Sequence, residues 1–230
     1  MKELEIFNTQ DGSHSVFSPT FGVSYHSKYG AIQESQHVFI AAGLLEKAST
    51  QKDISILEIG WGTGLNALMT LVEAERRQLT IHYTGVENYP LSLEEASALN
   101  YPEELEVSEK REVFEEMHRM PWGEPQTLSP NFSFTKLRQK FQDLTIKDSF
   151  DVIYFDAFSP SAQPELWETA VLGIMYDALK TDGILVTYCA KGAVKRALKS
   201  LGFSIEALPG PPGKREMTRA KKAEAMKPQP

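Results

Sequence analysis

The chain has 230 residues, 24 Lys and Arg against 31 Asp and Glu, and is 41% hydrophobic and 24% charged. These ordinary globular proportions exclude a fibrous or disordered protein and suffice for one large core. The net charge of −7 argues against broad adhesion to polyanions, and a single cysteine excludes a disulfide scaffold or a multi-cysteine zinc site.

No apolar run reaches the roughly 20 residues that span a bilayer, and the first residues lack the basic-then-apolar order of a leader. The expectation is a cytoplasmic protein with no membrane partner. Cys189, in an apolar run, reads as a small buried side chain. Charge is uneven: residues 191–230 carry ten Lys and Arg against three Glu. A basic end on an acidic body could orient a polyanion on one edge, or could be an ordinary solvated surface.

In chain order, residues 1–50 read as an N-terminal appendage: turns and aromatics over Val16 to Tyr29, then helical spacing from Gln33 to Ala48. Strands and helices alternate from Asp53. Strands are expected at Ile54–Ile59, Ile81–Glu87, Phe132–Leu137, Phe150–Phe155, Gly183–Tyr188 and Phe203–Leu208. Helices are expected at Leu65–Arg77, Leu91–Leu99, within Glu103–Met120, at Pro164–Leu179 and at Ala193–Leu201. This alternation predicts a Rossmann-like α/β domain over residues 51–220, with a mostly parallel sheet and ligands at its carboxyl ends. Residues 221–230 read as a basic, mobile tail.

Ile56 to Asn66 is the most informative segment. A hydrophobic strand runs into Gly60, Gly62 and Gly64 and then into a helix, the form of a nucleotide-type site where a ligand approaches bare backbone. The spacing is G-x-G-x-G rather than the dinucleotide G-x-G-x-x-G, which disfavours a nicotinamide-dependent oxidoreductase. Glu58 would repel a pyrophosphate and suits a cationic ligand end, such as that of S-adenosyl-L-methionine. Candidate cofactor contacts here are Glu58, Gly60, Trp61, Gly62, Thr63, Gly64 and Asn66. Glu87, closing the second strand, is the expected ribose ligand, with Asn88 beside it.

Asp156 ends a strand of five buried residues and opens onto Phe158 and Pro160, so it emerges at the rim of the site. Methyl transfer from a sulfonium needs nucleophile, carbon and leaving sulfur held in line, and an attacking amine must be uncharged. Asp156 is therefore both a candidate cofactor contact and the candidate catalytic residue, accepting a hydrogen bond or the proton of the amine. Trp167 could wall the pocket or pack its helix on the sheet.

Five segments carry a family resemblance: Gly30 to Phe39, Glu58 to Asn66, Glu87 to Leu91, Asp156 to Pro160 with Pro164 to Trp167, and Gly213 to Met217. Together they resemble the methyltransferase domain of the bacterial tRNA wobble-uridine 5-methylaminomethyl biosynthesis proteins, MnmC and the stand-alone MnmD. The resemblance implies a class I S-adenosylmethionine-dependent fold, with a mostly parallel seven-stranded sheet, that methylates the amine of 5-aminomethyl-(2-thio)uridine at the wobble position of tRNA. It further implies that a separate enzyme supplies the amine, since the flavin-dependent (FAD) oxidase domain of MnmC has no counterpart in these residues.

By the same resemblance, Gln33 joins the cofactor contacts and residues 1–50 close over the site. His37 is expected to be a packed histidine. Tyr25 and Tyr29 either flank the uracil or pack as core aromatics, Phe158 and Pro160 are expected to wall the substrate pocket, and Lys214 and Arg215 are expected at tRNA phosphates. Trp61 departs from the family's usual Phe, and Arg138, Gln139 and Lys140 stand where related enzymes place an adenine-binding acid. Competing readings are a methyltransferase acting on a small-molecule or protein amine, and a non-catalytic tRNA-binding module.

Overall fold

The computed structural model describes residues 4–223. Three short strands, β1 (Glu5–Asn8), β2 (His14–Ser18) and β3 (Val23–Ser24), form a small antiparallel sheet. Helix α1 follows over residues 31–48. Its middle, Gln36–Leu45, is wound as a π-helix between α-helical ends. Apolar spacing predicts the helix but cannot distinguish the two windings.

The main sheet contains β4 (Asp53–Ile59), β5 (Thr80–Val86), β6 (Gln126–Ser129), β7 (Phe132–Leu137), β8 (Phe150–Phe155), β9 (Leu179–Thr187), β10 (Phe203–Pro209) and β11 (Glu216–Lys222). Their order is β10-β11-β9-β8-β4-β5-β7-β6. The five central strands run parallel, while β6, β10 and β11 pair antiparallel. The sheet thus has eight strands rather than the expected seven.

The strand that sequence reading missed most plainly is β11. Its residues resemble a solvated basic tail because Arg219, Lys221 and Lys222 punctuate it. In the fold these cations are matched: Arg219 to Glu206 and Glu46, Lys221 to Asp182, Lys222 to Asp148. Met217, Thr218 and Ala220 are buried between them. Lys221 and Lys222 thus belong to the sheet, and the remainder of the expected tail, residues 224–230, lies outside the described residues.

Period-two alternation in the central strands feeds two cores. Ile54, Ile56, Val152, Tyr154, Ile184 and Val186 face one side of the sheet, against α1, α2 (Leu65–Arg77) and α5 (Arg111–Arg119). Leu57, Ile59, Ile153, Phe155 and Leu185 face the other, against α6 (Thr169–Ala178) and α7 (Gly192–Ser200). Two short helices, α3 (Leu93–Ser97) and α4 (Tyr101–Glu104), lead into α5.

Helix α1 belongs to this packing. Phe39 meets the Tyr154 ring at 5.3 Å, and a Cβ on Gly43 would lie 3.0 Å from Val186. The expected single helix over Pro164–Leu179 is divided into a 3-10 turn, Pro164–Trp167, and α6, because Glu168 between them is extended (φ −69, ψ 153). Among the described residues no helix is long and apolar enough to cross a membrane.

Candidate active site

A cavity of about 320 Å³ opens at the carboxyl ends of β4, β5 and β8, where parallel α/β sheets collect their ligands. The loop after β4 makes one wall. Gly60, Gly62 and Gly64 have φ of 83, 52 and 77, values that side chains with a Cβ rarely adopt. A Cβ on Gly60 would also stand 2.7 Å from the Asp156 carbonyl oxygen, so here the loops after β4 and β8 touch backbone to backbone. Gly64 turns the chain into α2, whose first residues, Leu65 and Asn66, line the cavity.

Glu87 lies just beyond β5 and also lines the cavity. One carboxylate oxygen accepts the N–H groups of Asn88 and Tyr89, each at 2.8 Å, and the other accepts the Gly62 N–H at 3.1 Å. The glycine loop and the end of β5 are thereby tied through one side chain. Burial raises its pKa against these three hydrogen bonds. The oxygen that accepts Gly62 retains a lone pair for a ligand hydroxyl.

Asp156 shares this cavity. Its carboxylate accepts the Asn66 amide N–H at 3.0 Å, and the same amide nitrogen donates to Glu58 at 2.8 Å. Burial first, then the Glu58 and Glu34 carboxylates, hold Asp156 well above the usual carboxylate range; the Asn66 hydrogen bond and the Lys214 ammonium oppose them. The Asn66 carbonyl oxygen is buried without a partner.

Glu58 occupies a different place from the one expected. It is 1% exposed and lies behind the wall, taking the Tyr83 hydroxyl at 2.7 Å as well as the Asn66 amide. Period two explains the placement: residue 58 shares the strand face of Ile54 and Ile56, covered by α2. Burial pushes Glu58 up to about 8, with the Glu87 charge adding to it and the two hydrogen bonds opposing.

A pH dependence follows. From the ordinary value of 4.5 to about 8 the unfolded chain has released the Glu58 proton and the folded chain still holds it. Fewer protons on the unfolded state mean that folding stability falls as pH rises through this window. Glu58→Gln cannot titrate, so its stability relative to wild type grows between pH 5 and pH 8, by about 1–3 kcal/mol. Urea unfolding at the two pH values checks this, and an equal difference at both contradicts it.

The other expected site residues divide clearly. Trp61, Gly62, Thr63, Asn88, Tyr25 and Phe158 line the cavity with Gly60, Asn66, Glu87 and Asp156. Gln33 does not: it is exposed, and its backbone N–H donates to Asp11 at 3.0 Å, so the helix start turns its side chain outward. Gly64 acts through the turn rather than the wall. Pro160, Lys214 and Arg215 line a separate open recess on the far side of the 156–160 loop. Lys214 is ion-paired there with the buried Glu34 and keeps 32% of its side chain exposed, so its charge is already partly engaged by an acid of the chain.

Trp167 is 5% exposed and donates to the Phe158 carbonyl at 2.7 Å, so it packs its segment and anchors the loop. His37 caps the Pro209 carbonyl at 2.7 Å, a structural contact.

Sequence reading missed Phe21, His26, Tyr89, Phe141 and Gln142, all in the cavity wall. Phe21 touches Tyr89 and Phe158 at 5.6 and 5.2 Å, bridging the two rims from the N-terminal segment. Phe141 and Gln142 stand next to the Arg138 to Lys140 stretch where an acid was sought. An unpatterned Phe-Gln pair after a strand gives no such signal.

Residues 106–223 match the S-adenosyl-L-methionine-dependent methyltransferase family. The chain belongs to that family. It is 31% identical over 225 residues to the tRNA 5-methylaminomethyl-2-thiouridine biosynthesis bifunctional protein MnmC of Aromatoleum aromaticum, covering 93% of this chain and 34% of that protein. MnmC of Leptospira borgpetersenii is similar, at 31% identity over 89% of this chain and 33% of its own length. The chain thus spans about a third of these curated relatives. The crystal structure of MNMC2 from Aquifex aeolicus superposes with a TM-score of 0.80 at 28% identity, over 100% of this chain and 73% of that one. A spermidine synthase shares the fold at a TM-score of 0.52 and 15% identity, covering 93% of this chain and 71% of its own.

The methyltransferase has the class I fold and uses S-adenosyl-L-methionine. The cavity fits that molecule on its own evidence. The Glu87 carboxylate, with one acceptor site left open, suits a ribose hydroxyl, the orphaned Asn66 oxygen can accept from the ammonium, and the acids around Asp156 favour a cation.

Proposed function

We propose that this methyltransferase methylates the primary amine of 5-aminomethyl-(2-thio)uridine at the wobble position of tRNA. The observation that carries the reading is Asp156: a half-buried acid with raised proton affinity at the inner end of an aromatic mouth, formed by Phe21, Tyr25 and Phe158. The name of the MnmC relatives, a tRNA 5-methylaminomethyl-2-thiouridine biosynthesis protein, points to the same nucleoside class. Of the expected appendage of residues 1–50, the part over residues 5–30 is proposed to close over the site, α1 being packed on the sheet.

S-adenosyl-L-methionine, when bound, supplies an electrophilic methyl group on a sulfonium. Glu87 would hold its ribose and Asn66 its amino-acid end. Asp156 binds the incoming ammonium, takes its proton onto a carboxylate oxygen and keeps the nitrogen lone pair free. Asn66 fixes the carboxylate through its amide, and Glu58, through Tyr83 and Asn66, fixes Asn66. Phe21, Tyr25 and Phe158 exclude water and offer flat faces to a pyrimidine.

The test is incubation with S-adenosyl-L-methionine and tRNA bearing 5-aminomethyluridine, followed by nucleoside mass spectrometry. A nucleoside heavier by one methylene supports the reading, and an unchanged one overturns it. A small-molecule or protein amine is the second reading, favoured by the pairing of Lys195, Lys214, Arg219 and Lys222 to acids of the chain itself, which leaves the basic end less available.

The two readings differ at the recess rim. Lys191, bonded to Ser161 at 2.8 Å, and exposed Arg215 are the proposed phosphate contacts. Replacing both by Gln raises the KM for tRNA several-fold and lowers the salt slope by about one to two, while the free nucleoside is unaffected. Equal effects on both substrates contradict the assignment.

A further inference from the structure

Glu34 and Lys214 are 180 positions apart in sequence and form an ion pair, and both charges act on Asp156. Lys214 lies 3.9 Å over the centre of the Tyr188 ring, and Tyr188 donates at 2.8 Å to the carbonyl of Ala157, next to Asp156. Glu34 is 6% exposed and takes the Ser27 N–H at 2.9 Å on its second oxygen. Neither residue lines the cavity. Glu34 is withdrawn from water while Lys214 keeps 32% of its side chain exposed at the recess, so the Glu34 charge carries a desolvation cost that a neutral side chain would avoid and requires a reason.

The elements packed around Asp156 each bring a titratable or polar group: Glu58 from β4 with Tyr83 of β5 behind it, Asn66 from α2, Glu34 from α1, Tyr101 from α4, Tyr188 after β9, and Lys214 from the turn before β11. Lys214 is the cation in this set and Glu34 its nearest counter-charge. His26, held at about 4 by burial, stays neutral beside them.

We propose that Glu34 and Lys214 are positioning residues that jointly set the ionisation of Asp156 and so match it to the proton of the attacking amine. The inference rests on the amine reading above for its kinetic consequence, though not for its spectroscopic one. Lys214 favours the Asp156 carboxylate and Glu34 disfavours it, so removing each charge moves the titration in opposite directions. A clamp that merely joined α1 to the turn would lower stability in both variants and move neither midpoint.

The experiment follows the Asp156 carboxyl by NMR in protein carrying labelled aspartate, its signal assigned by its loss in Asp156→Asn. It is paired with the pH profile of kcat/KM on tRNA carrying 5-aminomethyluridine. Lys214→Met moves the midpoint and the acid limb up by roughly one unit, Glu34→Gln moves them down, and the double variant returns close to wild type. Lys214→Arg, which keeps the charge, holds the wild-type midpoint. Shifts of the same sign, or none in a folded variant, overturn the proposal. Opposite NMR shifts in a protein that leaves this tRNA unmethylated sustain it and overturn the substrate reading instead.

Discussion

Asp156→Asn lowers kcat for methyl transfer by about a thousandfold, within the range removed with a general base, and changes S-adenosyl-L-methionine affinity far less. An asparagine oxygen can still accept the Asn66 amide, as Asp156 does at 3.0 Å. What it cannot do is take a proton from an ammonium. Loss of activity through unfolding is separable by sign. The folded Asp156 pKa is raised, so the wild-type residue costs stability as pH rises above its ordinary value of 3.8, whereas the amide does not. The variant is therefore at least as stable as wild type at pH 8. Single-turnover assays with calorimetry check both parts, and unchanged turnover removes the assigned role.

Glu87→Ala weakens cofactor binding by roughly one to two orders of magnitude, because hydrogen bonds to a charged group contribute about 1.5–3 kcal/mol. The side chain also organises the loop by accepting from Gly62, Asn88 and Tyr89. Its removal loosens the glycine turn together with the ribose contact. Glu87→Gln keeps one acceptor but places an N–H against backbone donors, and falls between the two. Calorimetry that returns wild-type affinity for Glu87→Ala contradicts the ribose assignment.

Legibility in the sequence followed the locality of the signal. The turn Gly60 to Gly64 and the start of α2 at Leu65 were readable because a hydrophobic run, positive-φ glycines and a helical period follow one another in a few residues. Strands β7 and β8 were readable at both ends from their apolar patterns. β11 was not, since the acids that neutralise its cations come from residues 46, 148, 182 and 206.

The candidate site divides in the same way. Glu87 and Asp156 reach the cavity because strand ends fix where they point. Glu58 is two residues earlier and faces α2, a placement that strict alternation with Ile54 and Ile56 would have revealed. Lys214 seemed free for phosphate because nothing near it in sequence announces Glu34. Phe21 and Gln142 enter the wall from segments without a local motif.

The most direct test of this account is a crystal structure of the protein with S-adenosyl-L-homocysteine and 5-aminomethyluridine. The expected result is a ribose hydroxyl on Glu87, the amino-acid end at Asn66, and the aminomethyl nitrogen on Asp156 beneath Phe158. A ligand lodged elsewhere with this cavity empty, or a nucleoside whose amine faces away from Asp156, contradicts it.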